Sequence, residues 1–200
     1  MASFSFRPST IRRLSATLLT FAAVLAAPAP ALHAEWKGDM NVVLGAKRLD
    51  EDPWKPVDSQ PSFGLMFDAR QNDWPLNLAM DVYYSGDKGT AAGVSREGST
   101  TEVNLGIRKI FRSSEAMRPF IGVGSSFVTA TLKDSMSGGP SRSDSAFGAG
   151  VWIGGGVYWT LADALNIGFN LKYTSAKVTL LDNRYDAGGR FFGTVIGLSF

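Results

Sequence analysis

Phe192-Gly193-Thr194-Val195-Ile196-Gly197-Leu198-Ser199-Phe200 is the stretch that decides the fold. Phe192, Thr194, Ile196, Leu198 and Phe200 take one face of the alternation, and Gly193, Val195, Gly197 and Ser199 take the other. A period of two marks a strand whose faces meet different surroundings. Seven more such runs precede it. The first sets Trp36, Met40, Val42, Leu44 and Ala46 against Lys37, Asp39, Asn41, Val43 and Gly45. The second sets Phe63, Leu65, Phe67 and Ala69 against Ser62, Gly64, Met66 and Asp68, and the third Leu76 to Tyr84 against Asn77 to Tyr83. The fourth opposes Thr101, Val103, Leu105 and Ile107 to Glu102, Asn104, Gly106 and Arg108. The fifth, Ile121 to Phe127 against Gly122, Gly124 and Ser126, is the weakest, and the pattern leaves its phase open. The sixth alternates from Phe147 to Trp159, and the seventh sets Leu165, Ile167, Phe169, Leu171 and Tyr173 against Asn166, Gly168, Asn170, Lys172 and Thr174.

Ahead of the runs, the first 34 residues carry Arg7, Arg12 and Arg13 but no acid, then an apolar stretch from Leu14 to Ala27, then Pro28 and Pro30 among small residues. That order predicts an export signal over 1–34, and the stretch is short of the ~20 residues of a spanning helix. Cleavage after Ala31 or after Ala34 fits; Ala34 is preferred because strand pattern begins at Trp36. Losing the three arginines leaves 17 basic against 18 acidic residues. The basic balance of the precursor therefore gives no warrant for nucleic-acid binding. The chain has no cysteine, hence no disulfide framework, and its one histidine, His33, leaves with the signal.

Residues 35–200 then read as one all-β domain, an eight-stranded antiparallel transmembrane barrel. Each run suffices for the ~9–11 tilted residues that cross a bilayer. Connections around Gln71–Asp73, Ser113–Met117 and Leu161–Asp163 are short, and those around Leu49–Ser59, Ser85–Gly98, Lys133–Arg142 and Leu181–Ala187 are longer. Short periplasmic turns and longer outer loops put both termini in the periplasm. A soluble lipocalin-like barrel also alternates, but its second row faces water and favours long charged side chains. Here that row is mostly Gly, Ser, Asn and Ala, suited to a narrow filled interior, while Trp36, Trp159, Tyr84, Tyr173 and Phe200 near strand ends match aromatic girdles.

Pro119-Phe120-Ile121-Gly122-Val123-Gly124, the run from Gly154 through Tyr158, and the turn at Leu161–Asp163 leading to Tyr173 resemble the small outer-membrane barrels grouped around the transmembrane domain of OmpA and around OmpX. The resemblance implies an outer-membrane location and contact with membrane lipid and lipopolysaccharide. It also implies assembly by the outer-membrane barrel machinery through the final strand, with Phe200 similar to the signal that machinery reads. No peptidoglycan-binding domain is expected beyond the barrel. The group includes adhesins and structural anchors, so the resemblance bears on architecture more than on function.

Six charged residues fall on the inward rows: Asp39, Asp68 and Arg108 toward the periplasmic end, and Asp81, Glu102 and Lys172 toward the outer end. Asp81 and Glu102 sit on neighbouring strands and need a cation, for which Lys172 is the candidate. A buried network that fills the lumen, with Trp152, Tyr83, Asn104 and Asn170 assisting, is favoured over an ion path. Without a histidine in the exported chain, a Ser-His-carboxylate set is impossible, and the strand glycines are not a phosphate cradle. No cofactor or metal is expected. The outer loops are the expected place for recognition: the first is acidic with Trp54, and the second and third are Gly- and Ser-rich and read as mobile. The expected function is a non-enzymatic structural or loop-contact role; a narrow pore comes second, and a lipid-modifying enzyme third.

Overall fold

The computed structural model describes residues 36–49, 52–111, 117–136, 139–162 and 164–200. The export signal over 1–34 and most of the Ser113–Met117 turn lie outside them. Nine strand segments follow: β1 (Trp36–Arg48), β2 (Ser59–Gln71), β3 (Asn77–Ala91), β4 (Val94–Ile110), β5 (Met117–Met136), β6 (Ser141–Leu161), β7 (Leu165–Leu180), β8 (Asn183–Asp186) and β9 (Gly189–Ser199). Every pairing is antiparallel, and β1 pairs with β9 as well as β2, so the sheet closes on itself. β8 and β9 are two parts of one strand, broken at residues 187–188, which makes the ring eight-stranded. Closure reaches the end of the chain, where Gly38 and Phe200 exchange backbone hydrogen bonds of 2.8 and 2.9 Å. A closed ring has no free edge, so every backbone group in its middle is bonded.

All eight runs keep the phase read from the sequence, the fifth included: Ile121, Val123 and Phe127 point outward. The five girdle aromatics also point away from the lumen. Space inside is tight. A Cβ added at Gly122 would lie 2.8 Å from the Trp152 ring, so glycine there makes room for the indole.

Three of the four long connections differ from expectation. Ser85–Gly98, Lys133–Arg142 and Leu181–Ala187 are mostly strand, the ladders of β3–β4, β5–β6 and β7–β8 running well past the apolar rows. Ala92 (φ 49°) and Gly93 (φ 78°) turn the first of these hairpins, and Leu181 (φ 49°) and Asp182 (φ 67°) turn the last. Two consecutive left-handed residues match the twist of the flanking strands, as in type I′ turns. The register sets charges opposite one another, Lys88, Glu97 and Lys133 in one row and Arg96, Asp134 and Arg142 in the next, and Arg96 and Asp134 close into an ion pair across the β4–β5 ladder. Among the described residues of the four long connections, those of the first are the irregular ones, with a short 3₁₀ turn at Asp52–Trp54.

In these extensions, called the crown below, the two faces exchange character. Outward positions become Thr101, Thr129, Ser145, Ser175, Lys177 and Thr179, while the inward row becomes Val128, Ala130, Leu132, Ala176, Val178 and Leu180. Those inward residues pack with Leu49, Val57, Tyr185, Ala187 and a fully buried Trp54 into a cluster of their own. The first connection thus folds into the mouth of the barrel as a plug.

Candidate functional site

The inward charges form three groups stacked along the lumen. Nearest the crown, Glu102 of β4 takes Lys47 of β1 on one carboxylate oxygen and Lys172 of β7 on the other, the latter at 2.6 Å. Lys47 also donates to Thr100 Oγ1 and to the Ala187 carbonyl, and the Lys172 ammonium lies 3.6 Å from the centre of the Tyr83 ring. In the middle, Arg108 donates to both oxygens of Asp68 and both of Asp81 at 2.7–3.0 Å, with Phe120 and Trp152 against its guanidinium. Nearest the short turns, Arg118 of β5 grips Asp39 of β1 at 2.7 and 3.1 Å. Ser199 and Asn166 also bond to Asp39 there.

Strand numbers give these contacts their meaning. β1 lies across the ring from β4 and β5, and β3 lies across from β7. Lys47–Glu102–Lys172, Arg118–Asp39 and the 2.7 Å hydrogen bond from Asn170 to the Tyr83 hydroxyl therefore span the interior and meet near its axis. Between them Val43, Met66, Phe120, Tyr158, Phe191 and Val195 form a second buried cluster, with the Phe120 and Tyr158 rings stacked at 4.4 Å. An eight-stranded ring is narrow enough for side chains to fill. This one is filled by four carboxylates facing four cations, each paired and buried or nearly so. Charges in so dry a place persist only when paired and hydrogen-bonded.

The six residues singled out in the sequence all lie in this network, but the expected grouping is corrected. Asp81 belongs with Asp68 on Arg108, not with Glu102 on Lys172, because Arg108 reaches Asp81 on the adjacent β3 and Asp68 on β2 beyond it, and its planar fork offers two donors to each. Lys47 and Arg118 were not foreseen. Lys47 continues the inward phase of β1 two residues beyond Gly45, and Arg118 lies four residues before Gly122 on the inward phase of β5, with Phe120 between, so extending each alternation finds both. Among the described residues the Asn104 side chain, expected to assist, finds no hydrogen-bond partner, and neither does the hydroxyl of its cross-strand neighbour Ser126.

The crown is the second candidate surface. Pairing of β2 with β3 stops at Ser62–Ser85, and pairing of β6 with β7 stops at Gly150–Ala176. Above those points the ring opens into a four-stranded sheet, from β3 to β6, and a two-stranded ribbon, β7–β8. The plug connects them: Trp54 Nε1 donates to the Asp186 carbonyl on the ribbon (2.9 Å), and Arg96 on the sheet donates to the Lys55 carbonyl (3.0 Å). Asp144 adds a strap from β6 to the Leu181 amide at 2.7 Å. Arg96 and Asp134 form a two-pronged pair, both bonds 2.8 Å. The hydrogen bond from Arg96 holds the Asp134 carboxyl below its ordinary value, with the Arg96 and Arg142 charges adding to the effect. Beside this pair Lys55, Pro56, Val94, Met136 and Arg142 line a cleft of about 330 Å³.

The family model of the outer membrane protein beta-barrel domain matches residues 19–200. Among solved structures, the chain is similar to Ail, the attachment invasion locus protein of Yersinia pestis, at 17% identity and a TM-score of 0.58, covering 83% of this chain and 99% of that one. Ail has also been solved in complex with the heparin analogue sucrose octasulfate. Similarity to Neisserial surface protein A stands at 13% identity and 0.55, covering 82% and 97%, and to a major outer membrane protein from Thermus thermophilus at 11% and 0.54, covering 82% and 98%. No curated protein sequence matches the chain.

Proposed function

The chain belongs to the outer membrane protein beta-barrel domain family and is an outer-membrane barrel, and from that premise we propose that it is a non-enzymatic surface protein. In this reading the barrel anchors a preformed crown, and the crown meets partners outside the cell. Residues 1–34 act as the cleaved export signal. The long hairpins face outward, and the final strand with Phe200 serves the assembly machinery. The observation that carries the proposal is the crown's own apolar core around Trp54, which gives a raised, ordered platform with open strand edges at β3, β6 and β8. Open edges and alternating charge rows are features by which a sheet receives an extended segment of another protein.

The filled interior argues against the pore reading, since Lys47–Glu102–Lys172 and Arg118–Asp39 cross the lumen at two levels and Trp54 closes its mouth. Two measurements test the proposal. Cells displaying the full chain are compared on protein-coated glass with cells whose hairpins are cut back to Tyr84–Thr101 and Phe127–Phe147. Retention is expected to fall to the level of non-displaying cells, and equal retention overturns the contact role. In planar bilayers the purified barrel should be electrically silent. Steady openings that change with Glu102→Gln would establish the pore instead.

A further inference from the structure

The inward row of β5 runs on past Leu132 to Asp134 and Met136, and there it meets the cleft beside the Arg96–Asp134 pair. Pro56 of the plug forms one wall: a Cβ added at Gly89 would lie 2.8 Å from Pro56 Cγ, so the plug is seated against β3 there. Ala91, Val94 and Met136 supply the rest of the apolar lining. Met136 is 60% exposed, and among the described residues of the crown it is the one large apolar side chain left open to water. An isolated exposed methionine carries no message, but one that stands over an apolar cleft marks a surface able to receive a side chain. The charges around the cleft do not balance. Arg96 closes on both oxygens of Asp134, and the Lys55 ammonium is held by Asp52 at 2.6 Å. Asp144, the next inward acid on β6, turns its oxygens to the Ser145 and Leu181 amides. Arg142, which lines the cleft and is exposed, closes no ion pair among the described residues and is the cation in excess.

We propose that this cleft takes an aromatic side chain of a partner polypeptide, with the carboxylate of the following residue meeting Arg142. The site deepens the contact role proposed above and rests on it. A volume of about 330 Å³ lies at the small end of ligand pockets, and it suits one or two side chains rather than a whole amphiphile. The apolar wall rewards burial of a ring, and the Met136 sulfur adds a favourable contact with it. One excess guanidinium matches one carboxylate, which its planar fork holds by two parallel bonds. A polysulfated sugar fits worse, because it would press sulfates against Pro56, Val94 and Met136 and meet a single unpaired cation. The backbone also suits an extended segment: β6, which carries Arg142, has no ladder with β7 above Gly150.

The test uses the whole barrel, refolded in detergent with isotope-labelled methionine methyl groups and read by NMR. Met136 lines the cleft, while Met66 in the lumen and Met40 and Met80 on the lipid face serve as internal controls. The probes are a short blocked peptide holding phenylalanine followed by aspartate, its asparagine analogue, its analogue with glycine for phenylalanine, and sucrose octasulfate. The aspartate peptide should move the Met136 methyl saturably and bind roughly tenfold tighter than the asparagine analogue, as expected for a charge-assisted hydrogen bond. The glycine analogue should leave the methyl in place. Arg142→Gln should erase the difference between aspartate and asparagine while keeping heat-modifiable gel mobility. Val94→Ser should weaken both peptides, and Lys177→Gln, on the outward face of the ribbon, should change neither. Equal binding of the aspartate and asparagine peptides, or a preference that survives Arg142→Gln, overturns the proposal. So does an equal loss in Lys177→Gln, which would mark diffuse attraction, or displacement of the peptide by equimolar sucrose octasulfate, which would mark a sulfated-sugar site. A Met136 shift on concentrating the barrel alone would give the cleft to a second copy and overturn it too. Retention of cells on protein-coated glass reports the contact role separately: retention independent of the hairpins sinks that role, whereas hairpin-dependent retention without peptide selectivity sinks the cleft alone.

Discussion

β7 carries two opposite codes on one strand. From Leu165 to Thr174 the outward residues are Leu165, Ile167, Phe169, Leu171 and Tyr173, and the inward ones include Asn166, Asn170, Lys172 and Thr174. From Ser175 to Leu180 the outward residues are Ser175, Lys177 and Thr179, and the inward ones Ala176, Val178 and Leu180. The backbone does not change; the solvent outside it does. Where lipid covers the exterior, the polar groups turn inward and must pair with one another. Where water covers it, the interior returns to the apolar packing of a soluble domain. The height at which the code flips is the boundary of the membrane band. Band and crown thus differ in balance: three groups of buried acid–base pairs add to the apolar cluster inside the band, whereas the interior of the crown is an apolar core and its charges lie outside that core.

The sharpest way to break that distinction is to remove one ion from the band. Arg108→Met strands Asp68 and Asp81 without their partner, and should cost roughly 3–5 kcal/mol in urea unfolding from lipid vesicles. A loss near zero would mean that water reaches the two acids. In the crown the matching change is Trp54→Ala, expected to cost roughly 3 kcal/mol, near the lower end for buried tryptophan because the site opens to solvent. Hydrogen exchange should show the loss confined to β3–β8 above the band, with band amides still protected. A third change sharpens the boundary itself. Leu105→Arg or Ile167→Arg should destabilise by roughly 2–4 kcal/mol in vesicles, whereas Thr129→Arg, just above the flip, should fall within about 0.5 kcal/mol of the parent. Similar costs at all three sites would erase the boundary.

The smallest expected effect is a pH step in the crown. Asp134 is held below its ordinary value of 3.8 by Arg96, so its pairing contributes fully above the unfolded value and is lost as pH falls through the folded one. Crown amide protection should therefore weaken below about pH 4, and Asp134→Asn should flatten that step. A step that survives the substitution would assign it to another acid.

The eight-fold alternation was legible because the strand period is local: each residue's face follows from its neighbours two positions away. Trp54 shows the limit. Its sequence context is an acidic connection, and only the apolar inward row of distant β5 and β7 makes it a plug. The Gly- and Ser-rich stretches around Ser85–Gly98 and Lys133–Arg142 read as mobile for the same reason. Their order comes from partners such as Arg96 with Asp134, which the register brings together over 38 positions.

What the sequence by itself determined is therefore the number of strands, the phase of all but the fifth and the side that meets lipid, because these depend on spacing along one strand. Only the tertiary structure decided which acid meets which base and why Lys47 and Arg118 belong to the lumen. Those contacts depend on the stagger at which the ring closes, and that stagger is a property of all eight strands at once.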